Sequence, residues 1–259
     1  MDVPPARENH VPSFPAPVHL LDHMKEADTS LRIALLNVSH LPTIVDANFR
    51  RILEDIDGVE VVTYDGRGLQ FPDDDAVDAV VITGSIDSVN DGIPYVIAAR
   101  RWIRSVDVPI FGVCFGHQLL ATAYGGDVGP MREDELGYCE ITIDRPDDPV
   151  FNGLPEQLVS FVCHHDTVVT PPPLAIVLAR NEHGIQALRL GSSVSVQFHP
   201  EATRAYAEQL IDELEFSEDM RSEANMTITD ANVTAARELR TLLTNFVAEL
   251  RSESSTHDG

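Results

Sequence analysis

Short apolar runs alternate with amphipathic stretches along the first half of the chain. The runs are rich in Val, Ile and Leu, and the stretches at about 43–56 and 94–105 carry apolar residues at helical spacing. Apolar runs separated by helical patterns are typical of βαβ units, in which a parallel sheet is buried on both faces. The predicted strands are RIALLNV (32–38), VEVVTY (59–64), DAVVIT (78–83) and VPIFGV (108–113).

The pattern changes between about 138 and 198, where shorter apolar runs follow one another without helical segments between them. These runs are YCEITI, LVSFVCHH, AIVLARN, IQALRL and SVSVQFH. Two helices are predicted after them, at about 203–214 and 230–251, and the second carries one apolar stripe. The chain is therefore predicted to have an α/β fold, with an open, mostly parallel sheet flanked by helices and an additional antiparallel strand region in the middle.

The two ends of the chain differ from this core. Residues 1–30 are rich in proline and show no sustained periodicity, which predicts a mobile leader. Met24 lies just before the first strand, so a translation start there is an alternative to Met1. Residues 251–259 are predicted to form a polar tail, which leaves residues 31–250 as one domain.

The charge balance is strongly acidic. The formal net charge is −24, with 42 acidic residues against 18 basic ones, and Lys25 is the only lysine. Such a surface repels phosphate backbones and anionic headgroups, so binding to nucleic acid or to a membrane surface is not expected. It suits a cytoplasm with very high salt, where ions screen the self-repulsion. We therefore expect a halophilic source, the alternative being simply an acidic protein.

Cysteine usage and the absence of targeting patterns bear on the compartment. The three cysteines, Cys114, Cys139 and Cys163, do not make a disulfide framework for a chain of 259 residues, which fits a reducing cytosol. No apolar run approaches the roughly 20 residues that span a bilayer. The N-terminus lacks the basic and apolar regions of a signal peptide. A cytoplasmic location is expected.

Cys114 lies between two glycines in GVCFG (112–116), after a predicted strand and before a predicted helix. A G-x-nucleophile-x-G element at such a turn forces a strained backbone, for which the glycines make room. The side chain then projects above the carboxyl edge of the sheet, where open α/β sheets place their sites. The turn also aims the Phe115 N–H toward an oxyanion that forms when Cys114 attacks a carbonyl. A buried structural cysteine in a tight turn is the alternative.

A second polar element, QFHPE (197–201), follows further along the chain. On a strand that continues to its end, His199 and Glu201 would point to the same face, so Glu201 could orient the His199 ring. A cysteine at one strand end and a His-x-Glu at another are the parts of a Cys-His-carboxylate triad. Alone, His-Pro-Glu is a weak indication, but together with the cysteine turn it favours the nucleophile.

GVCFGHQ followed by QFHPE resembles the class I (triad-type) glutamine amidotransferases. VVITGSIDSVND (80–91), AYGGDV (123–128) and CHHDTV (163–168) are similar to three further segments of that family. The resemblance covers about residues 31–250, and within the family the chain is most similar to the stand-alone, GMP-synthase-like branch. It implies a flavodoxin-like fold, no cofactor, and hydrolysis of the glutamine side-chain amide through a cysteine γ-glutamyl thioester.

The resemblance also implies the role of each residue in the triad. Cys114 would be the nucleophile that attacks the amide of glutamine. His199 would activate the thiol and later donate a proton to the leaving ammonia, and Glu201 would orient His199. His117 belongs to the same motif and is assigned a structural role.

The family's oxyanion turn and glutamine pocket are carried over in the same way. The backbone N–H groups of Phe115 and of Ser85, beside Gly84, would form the oxyanion hole. The chain departs from the family here, because Ser85 replaces a common glycine and Ile86 a common proline, which puts the shape of the turn in doubt. The residues implied to contact glutamine are Gln118, in the cysteine motif, and His165 and Asp166, in a loop.

The His164-His165-Asp166 run beside Cys163 resembles a metal cluster only superficially. Adjacent residues of a strand point to opposite faces, so Cys163 and His164 cannot easily bind one ion. No metal site is predicted.

No second catalytic module is visible in the sequence, such as a pyrophosphatase-type loop, a GxxxxGK[ST] loop or a GxGxxG turn. The predicted function is therefore a glutamine amidohydrolase, either stand-alone or paired with a separate synthetase subunit that uses the ammonia. One alternative keeps the triad and hydrolyses γ-glutamyl peptides or amides. Two others are a catalytically silent binding module and an α/β-hydrolase, although in the latter the acid precedes the histidine.

Overall fold

Within residues 30–257, the part of the chain that the computed structural model describes, nine strands form one sheet. The strands are β1 (Leu31–Asn37), β2 (Val59–Asp65), β3 (Ala79–Ile82), β4 (Ile110–Val113), β5 (Asp127–Ile143), β6 (Gln157–Thr170), β7 (Ile176–Asn181), β8 (Gly184–Leu190) and β9 (Ser193–Val196). The helices are α1 (Pro42–Leu53), α2 (Pro94–Ile103), α3 (Phe115–Ala123), α4 (Arg204–Glu213), α5 (Glu218–Thr227), α6 (Asp230–Arg237) and α7 (Thr241–His257). The predicted leader lies, apart from Ser30, outside the described residues.

One half of the sheet is parallel, with the strand order β2-β1-β3-β4-β9. Every residue of β3 and β4 is buried, which explains why these strands appear in the sequence as continuous apolar runs. Helices α1 and α2 each begin with a proline, Pro42 and Pro94, whose fixed φ suits the first helical position. The four strands and two helices predicted for this half are all present.

The other half of the sheet is antiparallel and continues the order as β9-β8-β7-β5-β6. Its longest elements, β5 and β6, pair with each other over most of their lengths. Strand β5 begins at Asp127, well before the predicted start near 138, because the charged run MREDE (131–135) hides the strand pattern. The predicted fold class, an α/β sheet with an added antiparallel region, is confirmed.

The C-terminal helices depart most from the prediction. The sequence pattern does not predict helix α5, since Ala224 is its single buried residue and it lacks an apolar stripe. It nevertheless packs on β5, where the Tyr138 N–H donates to Thr227 Oγ1 at 2.8 Å. The helix predicted at 230–251 is divided into α6 and α7 by a 3₁₀ turn, and α7 continues to His257, into the predicted tail.

Helices cover both faces of the parallel half. On one face Phe246 of α7 meets Phe111 of β4 edge-on, with ring centroids 5.5 Å apart. On the other face Tyr95 of α2 contacts Phe115 of α3. No helix among the described residues has the length and apolar character needed to cross a bilayer. Because β3, β4 and β9 are parallel neighbours, their carboxyl ends meet at one edge of the sheet.

Candidate active site

Cys114 occupies the turn between β4 and α3 in a backbone conformation that is rare for a residue with a side chain. Its φ is 51° and its ψ is −101°. The neighbouring glycines permit this turn: a Cβ on Gly112 would lie 2.7 Å from the backbone of Gly116, and one on Gly116 would lie 2.5 Å from the Ile82 carbonyl oxygen. The strained turn that the glycine spacing predicts is present, and such strain clusters at functional sites.

The Cys114 thiol is buried between two parts of the molecule. It points toward the backbone carbonyl of Cys163 on β6, with 3.7 Å between Sγ and the oxygen. The imidazole of His199 lies close by, since a Cβ built on Gly84 would be 3.0 Å from His199 Cε1 and 3.6 Å from Cys114 Cβ. The thiol and the imidazole, which are separated along the sequence, are thus brought together by the pairing of β4 with β9.

His199 and Glu201 lie in the turn that follows β9, which ends at Val196. The prediction that they lie on the strand itself is wrong. The turn is held by the His199 N–H, which donates to the Phe161 carbonyl at 2.9 Å, and by the Ala202 N–H, which donates to the His199 carbonyl at 3.2 Å. The expected contact still forms, since His199 Nδ1 is 2.7 Å from Glu201 Oε1 and both side chains are buried.

The surroundings of His199 favour its charged form. Burial by itself lowers the pKa of the imidazole, but the charge of nearby Glu201 and the interaction with Cys114 outweigh that effect and raise the pKa to about 10. The ring can therefore hold a proton at neutral pH. The carboxylate that stabilises this charge fixes the ring orientation as well.

Gly84 follows β3 and lies against both reactive side chains. A Cβ built on it would be 3.0 Å from His199 Cε1 and 3.6 Å from Cys114 Cβ. The first distance is tighter than ordinary van der Waals contact, so any larger residue must displace the imidazole.

We expect Gly84→Ala to lower kcat for glutamine hydrolysis about 10- to 100-fold, because a small misplacement of a reacting group has a large effect on rate. Steady-state kinetics with the purified variant measure this fall in kcat, and the melting temperature should change little. Gly92→Ala is the matched control, since a Cβ there meets nothing within 4 Å. Equal rates for the two variants would contradict the expected crowding at His199.

The amides of Ser85 and Phe115 face no backbone acceptor within the described part of the chain. Phe115 is the first residue of α3, and the N–H groups of a first helical turn have no partner inside the helix. The helix dipole adds a favourable potential for negative charge at this end. The two predicted oxyanion donors thus come from two neighbouring strand ends, Ser85 after β3 and Phe115 directly after Cys114.

Gln118 and Asp166 are brought together, as expected for residues of one pocket. The Gln118 side-chain amide donates to the Asp166 backbone carbonyl at 2.8 Å and to Gln197 Oε1 at 3.1 Å. The Asp166 carboxylate accepts from the Ser88 hydroxyl at 2.6 Å. His117 is buried in α3, with Nδ1 2.9 Å from Ser195 Oγ, which agrees with the structural role assigned to it.

The segment 164–166 lies within β6 and is not the loop that the resemblance implied. Alternation along the strand buries His164 and exposes His165. The His165 ring stacks on Phe216 with centroids 4.6 Å apart and pairs with Asp134 at 2.9 Å. The structure therefore places His165 against Phe216, in the segment between α4 and α5, and not beside Gln118.

A buried polar cluster beside this pocket is not predicted from the sequence. Glu135 Oε2 lies 3.0 Å from His164 Nε2 and accepts from the Gln186 amide at 2.9 Å, while Oε1 accepts from Asn181 at 2.5 Å. Burial raises the pKa of Glu135, but His164 and Asn181 outweigh it, and the net shift is downward. Glu135 ends the charged run MREDE, so nothing in the sequence distinguishes it from its solvated neighbours. His164 Nδ1 in turn lies 3.0 Å from the Asp166 carbonyl oxygen, which ties this cluster to the pocket.

Glu135→Gln is expected to lower the free energy of unfolding at pH 7 by roughly 1.5–3 kcal/mol, the range for hydrogen bonds to charged groups. Because the folded-state pKa of Glu135 is depressed, its stabilisation is present above the unfolded value of 4.5 and is lost as the pH falls through the folded value. Urea unfolding from pH 7 to below pH 4 should therefore show a difference between variant and wild type that is constant above about pH 4.5 and shrinks below it. Asp144→Asn, which breaks the exposed Arg180–Asp144 pair, should change stability by less than about 1 kcal/mol. If Glu135→Gln lost the same free energy of unfolding at every pH, the charge of Glu135 would not contribute to its interaction with His164 and Asn181.

Comparison with solved structures identifies the fold. A glutamine amidotransferase from Thermotoga maritima superposes with a TM-score of 0.67 at 19% identity, over 85% of this chain and 98% of that one. The fold is thus the α/β fold found in glutamine amidotransferases.

Sequence comparison gives the family. The profile of the family "Glutamine amidotransferase class-I" matches residues 44–216. One subunit of the glutamine-hydrolyzing GMP synthase of Ignicoccus hospitalis is 35% identical over 136 residues, which are 50% of this chain and 70% of that protein. The corresponding protein of Sulfolobus acidocaldarius is 35% identical over 127 residues, 48% of this chain and 67% of that protein. The chain belongs to the class I glutamine amidotransferase family, as the resemblance indicated.

Proposed function

We propose that the protein hydrolyses the side-chain amide of glutamine to glutamate and ammonia, with Cys114 as nucleophile, His199 as base and acid, and Glu201 as the residue that orients His199. The observation that carries the proposal is that buried Cys114 lies beside His199, whose Nδ1 is 2.7 Å from Glu201 Oε1, at the carboxyl edge of the sheet in a chain of this family. A thiol, an imidazole and a carboxylate in this order form a nucleophile, a base and an orienting group.

The proposed reaction has two halves. In the resting pair the His199 ring holds the proton of the thiol, in line with its raised pKa. Cys114 Sγ attacks the amide carbon, so that negative charge develops on the amide oxygen between the Ser85 and Phe115 amides. His199 then gives its proton to the nitrogen, the C–N bond breaks, and ammonia leaves a γ-glutamyl thioester. In the second half His199 takes a proton from water, the hydroxide attacks the thioester, and glutamate is released with the thiol restored.

The proposed substrate pocket is formed by Gln118 and Asp166. The hydrogen bonds of Gln118 to the Asp166 carbonyl and to Gln197 hold its amide in one orientation, next to the motif that carries Cys114. The Asp166 carboxylate, held by Ser88, provides an anionic group that suits the α-amino group of an amino acid. His165 is not included, because its ring lies against Phe216 and Asp134.

We also propose that the ammonia is used by a separate synthetase subunit. In support, the relatives from Ignicoccus hospitalis and Sulfolobus acidocaldarius are each named as one subunit of a glutamine-hydrolyzing GMP synthase. A longer GMP synthase of Thermosipho africanus is matched over 32% of its length at 30% identity. In that longer protein the matching region is one part of a larger chain.

An assay of the purified protein at high salt tests the function. Glutamate and ammonia release from glutamine is measured beside release from γ-glutamyl peptides at the same concentrations, with and without a candidate synthetase partner. Turnover of glutamine supports the proposal, and turnover that rises strongly with the partner supports the two-chain arrangement. Hydrolysis of γ-glutamyl peptides without hydrolysis of glutamine would overturn the choice of substrate, and no turnover of either would overturn the enzymatic function.

A further inference from the structure

We propose that Tyr95 and Asp87 are positioning residues that hold the two halves of the oxyanion hole, Ser85 and Phe115, in register. The assignment rests on the proposed function, because it requires the Ser85 and Phe115 amides to be the donors to the oxyanion. Among the interactions of the described residues, neither Tyr95 nor Asp87 contacts the nucleophile or its base. Both would act through the turn that follows β3.

The Ser85 side chain is held by a closed set of hydrogen bonds. Its Oγ lies 3.2 Å from the Tyr95 hydroxyl and 3.3 Å from Asp87 Oδ2, and it accepts from the Asp87 N–H at 3.3 Å. The Tyr95 hydroxyl donates to the same Asp87 oxygen at 2.5 Å. Two side chains and one backbone amide thus fix the residue that carries one proposed donor.

Tyr95 reaches the other half of the oxyanion hole through its ring. The ring is buried and lies 6.1 Å, centroid to centroid, from the ring of Phe115, whose amide is the second proposed donor. Helix α2 therefore contacts one donor residue through a hydroxyl and the other through an aromatic face. A change in the position of Tyr95 would move both donors relative to Cys114.

Arg67, in the loop after β2, anchors the cluster from outside. Its guanidinium donates to Asp87 Oδ2 and, at 3.3 Å, to the Tyr95 hydroxyl, and it lies 4.9 Å above the Tyr95 ring. His40 Nε2 is 3.7 Å from the second Asp87 oxygen. The cluster thus joins the loops after β1, β2 and β3, at the edge of a polar cleft of about 770 Å³.

The protonation of the two residues suits this network. Burial raises the pKa of Tyr95, and the hydrogen bond to Asp87 raises it further, so the phenol keeps its proton. Burial works against the charge on Asp87, but Tyr95 and Arg67 outweigh burial and lower its pKa. A neutral donor and an ionised acceptor are the states in which a hydrogen bond of this kind is strong.

The network also bears on how this turn keeps its shape. The turn lacks the glycine and proline at Ser85 and Ile86, and so lacks the rigidity that such a proline gives a backbone. In this chain the Ser85 hydroxyl supplies an attachment point that a glycine would not have. Side-chain hydrogen bonds to Ser85 would then hold the backbone of this turn in place of a rigid proline.

The test compares Tyr95→Phe, Asp87→Asn and Ser85→Ala with the wild-type protein in glutamine hydrolysis. We expect each single variant to lower kcat about 10- to 100-fold with KM within about threefold, because the loss falls on the transition state. The rate of alkylation of Cys114 by iodoacetamide should stay within about twofold of wild type, since that reaction develops no oxyanion. The double variant Ser85→Ala/Tyr95→Phe should be no slower than the slower single variant, because both changes break one network.

Asp46→Asn is the matched control. Asp46 also lines the cleft and also pairs with an arginine, Arg50, but it has no contact with Ser85, Asp87 or Tyr95 among the interactions of the described residues. We expect its kcat to match the wild type. Wild-type kcat in Tyr95→Phe and Asp87→Asn, additive losses in the double variant, or a parallel fall in the alkylation rate would overturn the assignment. A wild-type protein without turnover of any γ-glutamyl substrate would instead overturn the proposed function itself, and this assignment with it.

Discussion

Replacing Cys114 by alanine is expected to lower glutamine hydrolysis by roughly four orders of magnitude or more, because no covalent intermediate can form without the thiol. The fold should remain, since alanine fits the space of the buried side chain. The flanking glycines that allow the turn at position 114 are still present. Ammonia and glutamate release, measured at saturating glutamine, gives the loss. Near-ultraviolet circular dichroism and the melting temperature report on the fold.

Cys139→Ala provides the control for this prediction. Cys139 lies on β5, is half-buried, and its sulfur lies 3.8 Å from the Asn181 side-chain nitrogen. Burial, together with the nearby Glu135, raises the pKa of this thiol well above its ordinary value, so it is a poor nucleophile. Its replacement should leave kcat within about twofold of wild type. If Cys114→Ala and the wild-type protein turned over glutamine equally, the proposed triad would be wrong.

The second large effect is expected for Glu201→Gln, with a loss of about 10²- to 10⁴-fold in kcat. Glu201 is buried against His199, and its charge is the main attraction that keeps the ring protonated and in place. The neutral amide of glutamine removes the negative charge beside the ring, while burial still disfavours the protonated imidazole, so the pKa of His199 should fall. The measurement is the pH profile of kcat/KM, in which the limb that depends on His199 should move to lower pH in the variant.

The same substitution should change how stability depends on pH. The folded-state pKa of His199, about 10, lies above its unfolded value of 6.5, so the stabilisation is complete below pH 6.5 and is lost as the pH rises toward 10. The difference in free energy of unfolding between wild type and Glu201→Gln should be largest near pH 6.5, at about 3–5 kcal/mol, and should decrease at higher pH. Glu182→Gln, in the exposed Glu182–His183 pair, should show no such trend. A constant difference between pH 6.5 and pH 10 would speak against an ionised pair.

The elements predicted well are those whose sequence carries a strong local pattern. Strands β1 to β4 are rich in branched apolar residues, and α1 and α2 have an apolar face and a proline at the first position. The elements that were missed depend on contacts with distant residues. Helix α5 is polar and is held on β5 by the hydrogen bond from the Tyr138 amide to Thr227, which lies far along the chain.

The same distinction holds at the candidate site. Cys114, His199 and Glu201 could be found because each lies in a short motif whose chemistry is local. Strand alternation predicts their contact for a partly wrong reason, since His199 and Glu201 meet in a turn and not along a strand. His165 was included by its place in a motif, but strand alternation turns its ring away to Phe216.

Local patterns along the chain are enough to predict the class of fold, the family resemblance and the three residues of the proposed triad, because turn glycines, apolar runs and short motifs act over a few residues. The polar groups around these residues acquire their partners only when the chain is folded. Glu135 is ionised in the interior because strands β6, β7 and β8 bring His164, Asn181 and Gln186 to it. Tyr95 meets Ser85, Asp87 and Arg67 because the loops after β2 and β3 converge at the sheet edge. A buried charge or hydroxyl is stable only when its partners are in place, and those partners are distant in sequence.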